Sequence, residues 1–569
     1  MLDPGQPSPF PARDSRIRVY ATASELLGRR IDKNDRLELW KQVALEQALS
    51  LITQIVTDIE VSATLDDVTL ADVDQKWVAR VSSARLRTSL GVASRLGVTL
   101  FAPQLLLLAA EEVLWHCPDG PPTDTLDGLD ILVQCLLSIG DDDPMPTGET
   151  WGGVDVALAA EIIANLYYNR PMWAGHQLSW FERTWFQDWP KRTAATETVG
   201  GEPRELFKEA TGIDLADFAA VAFNVYAQSA IYMYVRFPAA FFETLGLEPK
   251  AIEHFLSTTA RTVSELRDAI QADSSAVGSR YRFDVFRRFP LVRLASGEVL
   301  VLNPNFVIQR ALSEVVFWDV RNYLKEFDHN NGTNRDEAFH LCTTDILEHE
   351  TGVTLRRIFS RSKIQVLDEK QLQRRFSSKR QIPSLCDYAV RVGRTWLLVE
   401  VTDRAMPRPV VLANTHAAAL DAELGKLLTD RKAKQLASTI RLLKTEFESK
   451  DNQRRLSFIP LVVTGQTALP WNPAVHQRTT ERLGGVTELS QDSCTSVALI
   501  TRRDLMTLEH AASLGHDIIE LLRSWRQFDP GSPLDQYLHQ RGVPLSSPKW
   551  EKEQAIKAIR TFVKRMKTG

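Results

Sequence analysis

Two carboxylates are the residues of this sequence best spaced to do chemistry together. Asp387-Tyr-Ala-Val-Arg-Val, Gly393-Arg394 and Thr395-Trp-Leu-Leu-Val-Glu400-Val-Thr402 read as two strands, β-branched and aromatic, around a two-residue turn that begins with glycine. With Gly393 and Arg394 at the turn, Val392 faces Thr395 and Arg391 faces Trp396, and the register carried outward sets Asp387 opposite Glu400. Side chains so opposed stand ~4.5–5.5 Å apart at Cβ, where like charges repel unless something compensates them. Magnesium or manganese would do so, since each takes hard oxygen ligands, often one or two carboxylates with water completing the shell. Such an ion polarises a phosphodiester and acidifies an attacking water. Leu398 and Ala389 share the face of the pair, while Leu397, Val399, Tyr388 and Val390 cover the other, so both faces read as at least half buried. A buried carboxylate pair is costly; the alternative is an Asp and a Glu that face solvent and repel weakly.

The hairpin needs a scaffold, and the sequence around it alternates helix and strand. A break with turn chemistry at Asn330-Asn-Gly-Thr-Asn precedes a helix that Asn334 or Asp336 caps and that runs to about His349. Strand-like pieces follow at Leu355–Phe359 and Ile364–Leu367. After the hairpin come a helix from Ala418 to Phe447, strands at Leu456–Thr464 and Val497–Thr501, and a helix from Leu505 to Trp525. That order predicts an α/β sandwich over one sheet. Upstream, Phe289–Leu294 and Val299–Leu302 read as two strands around Ser296-Gly-Glu, with a helix from Asn305 to Lys325. From Thr22 to Ala272 apolar residues recur every three or four positions, as in Leu37–Ile59, Val78–Leu96, Leu100–Trp115 and Val154–Tyr168, so this half reads as helices. The last stretch, Trp550 to Lys567, is a basic amphipathic helix.

Composition bounds the whole. The 569 residues exceed one core, and 44% hydrophobic with 25% charged residues is ordinary globular composition. A net charge of −4 leaves no overall pull toward nucleic acid or anionic lipid, so any such attraction is local. Five scattered cysteines without a C-x-x-C pair suggest neither a disulfide framework nor a thiolate zinc site, and fit a reducing, cytoplasmic setting with no export signal at Met1–Pro11. The most apolar run, Phe218 to Val235, carries Asn224 and Gln228 on one helix face, which predicts a buried amphipathic helix and no membrane span. Trp173, Trp180, Trp185 and Trp189 could stack on bases; their acidic and Pro190 neighbours favour core packing.

Local charge does favour a polyanion. From Arg356 to Lys450 basic residues outnumber acidic ones by about ten, and Arg374, Arg375, Lys379 and Arg380 stand just before the hairpin. Gln371 to Gln381 has no apolar pattern except Phe376, so it reads as a mobile loop whose four cations would grip phosphates, or as a basic solvated loop with no partner.

On the order helix, strand, Asp-bearing strand, Glu-bearing strand, Lys-x-x-Gln helix and strand, the segment resembles the PD-(D/E)XK, restriction-endonuclease-like nuclease superfamily. The resemblance covers Asp336–His349, Asp387–Glu400 and the helix with Lys432 and Gln435. It implies a multidomain α + α/β chain: a large all-helical N-terminal region at 1–275, a strand pair and helix connector at 276–329, a nuclease domain at 330–525 and a basic helical tail at 526–569. It implies that Asp387 and Glu400 hold Mg²⁺ or Mn²⁺ with the Val401 carbonyl, that Gln435 positions a ligand, and that the substrate is DNA, RNA not excluded. The longer bacterial proteins it resembles imply action against foreign DNA, with protein partners met through the helical region.

Three residues depart from the family pattern. Thr402 stands where the family has Lys, so the cation would come from the following helix, as Lys432 or Lys426. His340 follows Phe339 where the family often has Glu, leaving His340 or Asp336 to face the metal. Pro383 lies four residues before Asp387 and not beside it. The competing expectation is a catalytically inactive subunit of the same fold that binds nucleic acid or scaffolds a defence complex; a third is a helical interaction protein whose α/β unit is only structural.

Overall fold

The computed structural model describes residues 21–568 apart from 63–69, 96–98, 121–127, 143–146, 169–173, 190–196, 275–282, 361–363, 378–382, 413–414, 449–455 and 466–467. The chain is mostly helical with small mixed sheets, a multidomain α + α/β arrangement. Leu45–Ser62 shows why the first half is helical: Leu45, Leu49, Ile52, Val56 and Ile59 repeat at three and four residues and are all buried. They pack with Pro103–His116 and Gly128–Gly140 in one core. A second core forms around Leu215–Tyr232, the run weighed above as a span, and takes in Trp185, Trp189, Phe317 and Phe339. Among the described residues no helix is long and apolar enough to cross a membrane.

The first half is not all helix. Arg236–Phe237 and Ala260–Thr262 join Val299–Val301 and Leu291–Arg293 in a four-stranded sheet, so strands from either side of residue 275 share one ladder. A two-stranded hairpin pairs Thr150–Trp151 with Val154–Asp155. These strands are two or three residues long, too short for a period-two pattern to stand out between helices.

The second sheet has five strands: β1 (Val366–Asp368), β2 (Tyr388–Val392), β3 (Thr395–Thr402), β4 (Ser457–Thr464) and β5 (Ala498–Thr501), in the order β5-β4-β3-β2-β1. The β1–β2 and β2–β3 pairs are antiparallel, and β3–β4 and β4–β5 are parallel. Near-continuous apolar runs in β3 and β4 match burial on both faces. Trp396 on one face meets Phe447 of the Arg431–Glu448 helix. Tyr388, on the other face opposite Val399, donates to the Glu348 carbonyl of the Arg335–Ile358 helix at 2.9 Å. That helix comes so close that a Cβ at Gly352 would stand 2.4 Å from the tyrosine oxygen.

Around the hairpin, local structure departs from expectation in three places. Leu355–Phe359 is not a strand: the helix from Arg335 continues to Ile358, because Leu355 and Ile358 extend its buried stripe past Gly352. The stretch expected as loop from Gln371 begins inside a helix, Glu369–Phe376, opened by a capping box in which Asp368 and Gln371 satisfy each other's backbone amides. The predicted helix from Ala418 to Phe447 is interrupted by a π-helical turn at Gly425–Thr429, after which Arg431–Glu448 starts afresh.

The helical and α/β parts are interlocked. The N-terminal half of the Arg335–Ile358 helix lies in the helical core through Phe339 and Cys342, and its C-terminal half in the α/β core through Leu347 and Leu355. Trp151, Val156, Ala159 and Ile163 join the α/β core. In return the basic C-terminal helix, Lys549–Thr568, buries Ala555, Ala558 and Phe562 in the helical core against Ala174–Phe181 and Leu215–Tyr232. That helix is a structural element of the helical core rather than an appended tail.

Candidate functional site

The turn between β2 and β3 falls at Gly393 and Arg394, with Gly393 at φ +60°, a conformation that glycine adopts without strain. The ladder runs from Val392 opposite Thr395 to Tyr388 opposite Val399. One step further out, the Asp387 carboxylate accepts the Val401 N–H at 2.6 Å, close enough to Glu400 for its charge to act on that carboxyl. Val401 thus enters the site through its amide.

Burial separates the two readings of this pair. Glu400 is 0% exposed and Asp387 7%. Two solvated carboxylates repel by well under ~1 kcal/mol, whereas an ionised one taken out of water costs several kcal/mol unless compensated. Burial pushes the Glu400 carboxyl up to about 9, and the neighbouring charge of Asp387 adds to that.

The compensation comes from the next helix. Lys432 Nζ stands 2.6 Å from Glu400 Oε2 and 3.6 Å from Asp387 Oδ2. Burial works against the ammonium, but the two carboxylates outweigh it and raise its affinity for the proton. The π-helical turn before Arg431 sets where this helix begins, placing Lys432 in its first turn with the positive end of the helix toward the carboxylates. Lys426, on the π-helical turn itself, is exposed and forms no ion pair with either carboxylate. Gln435, one turn beyond Lys432, donates from Nε2 to the Leu385 carbonyl at 3.1 Å, while its Oε1 is buried without a partner.

A residue that sequence reasoning missed completes the acidic side. Glu348 is raised to about 7, by burial first and then by the charges of Asp387, Asp345 and Glu369. Glu369, opening the Glu369–Phe376 helix, is raised by burial and by Asp387. The two residues weighed for this role lie elsewhere: Asp336 is held by Arg321 at 2.6 and 2.9 Å, and His340 sits two turns before Glu348. Asp336, His340, Thr344 and Glu348 follow at four-residue steps on one helix, so the signal was present; the Phe339-His340 match drew attention to the first turns of that helix and away from Glu348.

The donor chemistry fits a hard cation. Every ligating atom on offer is oxygen, and Oε1 of Glu400 and Oε1 of Gln435 are buried acceptors without a hydrogen-bond partner. Among the described residues no three His, Cys, Asp or Glu side chains gather closely enough to hold a metal ion by themselves, so Asp387 and Glu400 offer a pair that water or substrate oxygens would complete.

The basic residues divide. Arg374 is exposed, whereas Arg375 is spent on a bidentate pair with Glu446, at 2.7 Å to each oxygen, over the ring of Phe447. Lys379 and Arg380 lie outside the described residues. Trp185 and Trp189 are fully buried against Phe317, which rules them out as a base-stacking platform, and Trp180 packs on the same ring; Trp173 lies outside the described residues. The five cysteines are free, and burial raises the thiol of Cys386, beside Asp387, out of the reactive range. No known protein family, curated protein or solved structure matches the chain.

Proposed function

We propose that the chain is a metal-dependent nuclease that hydrolyses phosphodiester bonds in DNA at the Asp387–Glu400–Lys432 site. The observation that carries this reading is the convergence of two buried carboxylates and one half-buried ammonium, with unsatisfied oxygen acceptors beside them. Asp387 and Glu400 would hold Mg²⁺ or Mn²⁺. When bound, the ion would polarise the scissile phosphate and acidify a water. Lys432 would neutralise charge developing on the phosphate, supplying from the helix what Thr402 cannot supply from the strand. Glu400, relieved of its proton by the incoming cation, would then be a full ligand. Arg374, with Lys379 and Arg380, would contact the DNA backbone; action against foreign DNA rests on the family resemblance alone.

A second reading is a non-catalytic subunit that grips nucleic acid or scaffolds a larger complex. What favours it is the closeness of Lys432 to Glu400, since an ammonium at 2.6 Å already compensates the carboxylate. Incubating the purified chain with plasmid or single-stranded DNA and Mg²⁺ or Mn²⁺ separates the two. Cutting that disappears in Asp387→Ala and Glu400→Ala supports the nuclease; binding without cutting supports the subunit.

A further inference from the structure

Asp387 lies just before the β2 ladder begins, so the backbone leading into it has no partner strand on β3 to fix it. What holds that backbone is one turn of the Arg431–Glu448 helix. The Leu385 carbonyl accepts from Gln435 Nε2 at 3.1 Å, and the Cys386 N–H donates to Thr439 Oγ1 at 3.0 Å. These two atoms belong to a single peptide group, the one joining Leu385 to Cys386, so one peptide plane is gripped at both polar ends. Thr439 in turn donates its hydroxyl proton to the Gln435 carbonyl at 2.8 Å, which fixes the oxygen that receives the Cys386 N–H. Thr439 is 0% and Gln435 5% exposed, so no water stands ready to replace either contact.

We propose that Gln435 and Thr439 are positioning residues which clamp the Leu385–Cys386 peptide and thereby hold the Asp387 carboxylate against Glu400 and Lys432. Gln435 then acts mainly through the backbone. The same helix carries the ammonium and sets the carboxylate, so their spacing is built into one rigid element. The assignment rests on the reading of Asp387 and Glu400 as a cation-binding pair, and its test separates the two claims.

Thr439→Val removes the hydroxyl at constant shape, Thr439→Ser restores it, and Gln435→Met removes the amide. Hydrogen exchange on the metal-free full chain should speed up about tenfold at residues 385–387 in Thr439→Val and Gln435→Met, stay as in the wild type in Thr439→Ser, and be unchanged throughout in β4. Mn²⁺ affinity should fall about tenfold in the first two variants and stay within about twofold in Thr439→Ser. Wild-type exchange and Mn²⁺ affinity in both Thr439→Val and Gln435→Met would overturn the clamp. Should Thr439→Val not fold, Gln435→Met decides. A wild type that binds no Mn²⁺ would sink the cation-binding reading and leave the exchange comparison to judge the clamp alone.

Discussion

Lys432 Nζ lies 2.6 Å from Glu400 Oε2, an ion pair between a helix and a strand in which the carboxylate is wholly buried. The lysine is 32 residues away in sequence from the glutamate it contacts. The ammonium also reaches Asp387, so one side chain of the helix bridges both acids of the hairpin.

Replacing Lys432 by Met tests whether that ammonium is more than a structural partner. Glu400 can keep a proton in its place, so the expected loss of stability at neutral pH is small, about 1 kcal/mol. Cleavage should fall by roughly 100-fold or more. A variant that melts early yet cuts at the wild-type rate would confine Lys432 to a structural role.

Glu400 should make the metal-free protein sensitive to alkali. Its carboxyl is raised from an ordinary 4.5 to about 9, so the folded state retains a proton that the unfolded chain releases. Stability from this group is therefore whole below about 4.5 and is lost as pH rises toward about 9. Glu400→Gln removes the dependence. Thermal melts of the two proteins should differ little at pH 5 and favour the variant by several kcal/mol, about 4–5, at pH 8; a gap that does not widen with pH would contradict the assignment.

Arg374 and Arg375 are neighbours with opposite expectations. Arg375 is already paired with Glu446, so Arg375→Ala should leave DNA affinity within about twofold, while Arg374→Ala should weaken it and lower the slope of log affinity against log salt by about 1. Filter binding over a salt series reads both, and equal losses would show that the basic face is not organised as described.

Cutting the chain after Pro548 removes the helix that buries Ala555, Ala558 and Phe562. The loss of these contacts should cost several kcal/mol and expose the core around Leu215–Tyr232, seen as a lower melting temperature and dye binding. An unchanged melting temperature would mean that the C-terminal helix is an appendage after all.

How far the site was legible in the sequence follows from the range of each signal. The hairpin was legible because a two-residue turn opened by glycine, between two β-branched and aromatic runs, fixes the register locally, and the register carried outward brings Asp387 toward Glu400. Lys432 was legible as one of two lysines, but only the π-helical turn decides between it and Lys426, and π-helical turns have no sequence signature strong enough to announce them. Thr439 carried no signal at all, since a threonine inside an amphipathic helix reads as filler until a peptide group is seen to dock on it. The helical half was legible as helix from its apolar spacing. That it would swallow the C-terminal helix, and lend Trp151 to the other core, depends on contacts hundreds of residues apart, which periodicity does not reach.

The most direct test of the central claim is a calorimetric titration of the full chain with Mn²⁺. The account predicts saturable binding, competed by Mg²⁺, released with a proton near pH 8, and lost in both Asp387→Ala and Glu400→Ala. Binding that survives undiminished in both variants, or no binding by the wild type with DNA present, would contradict it.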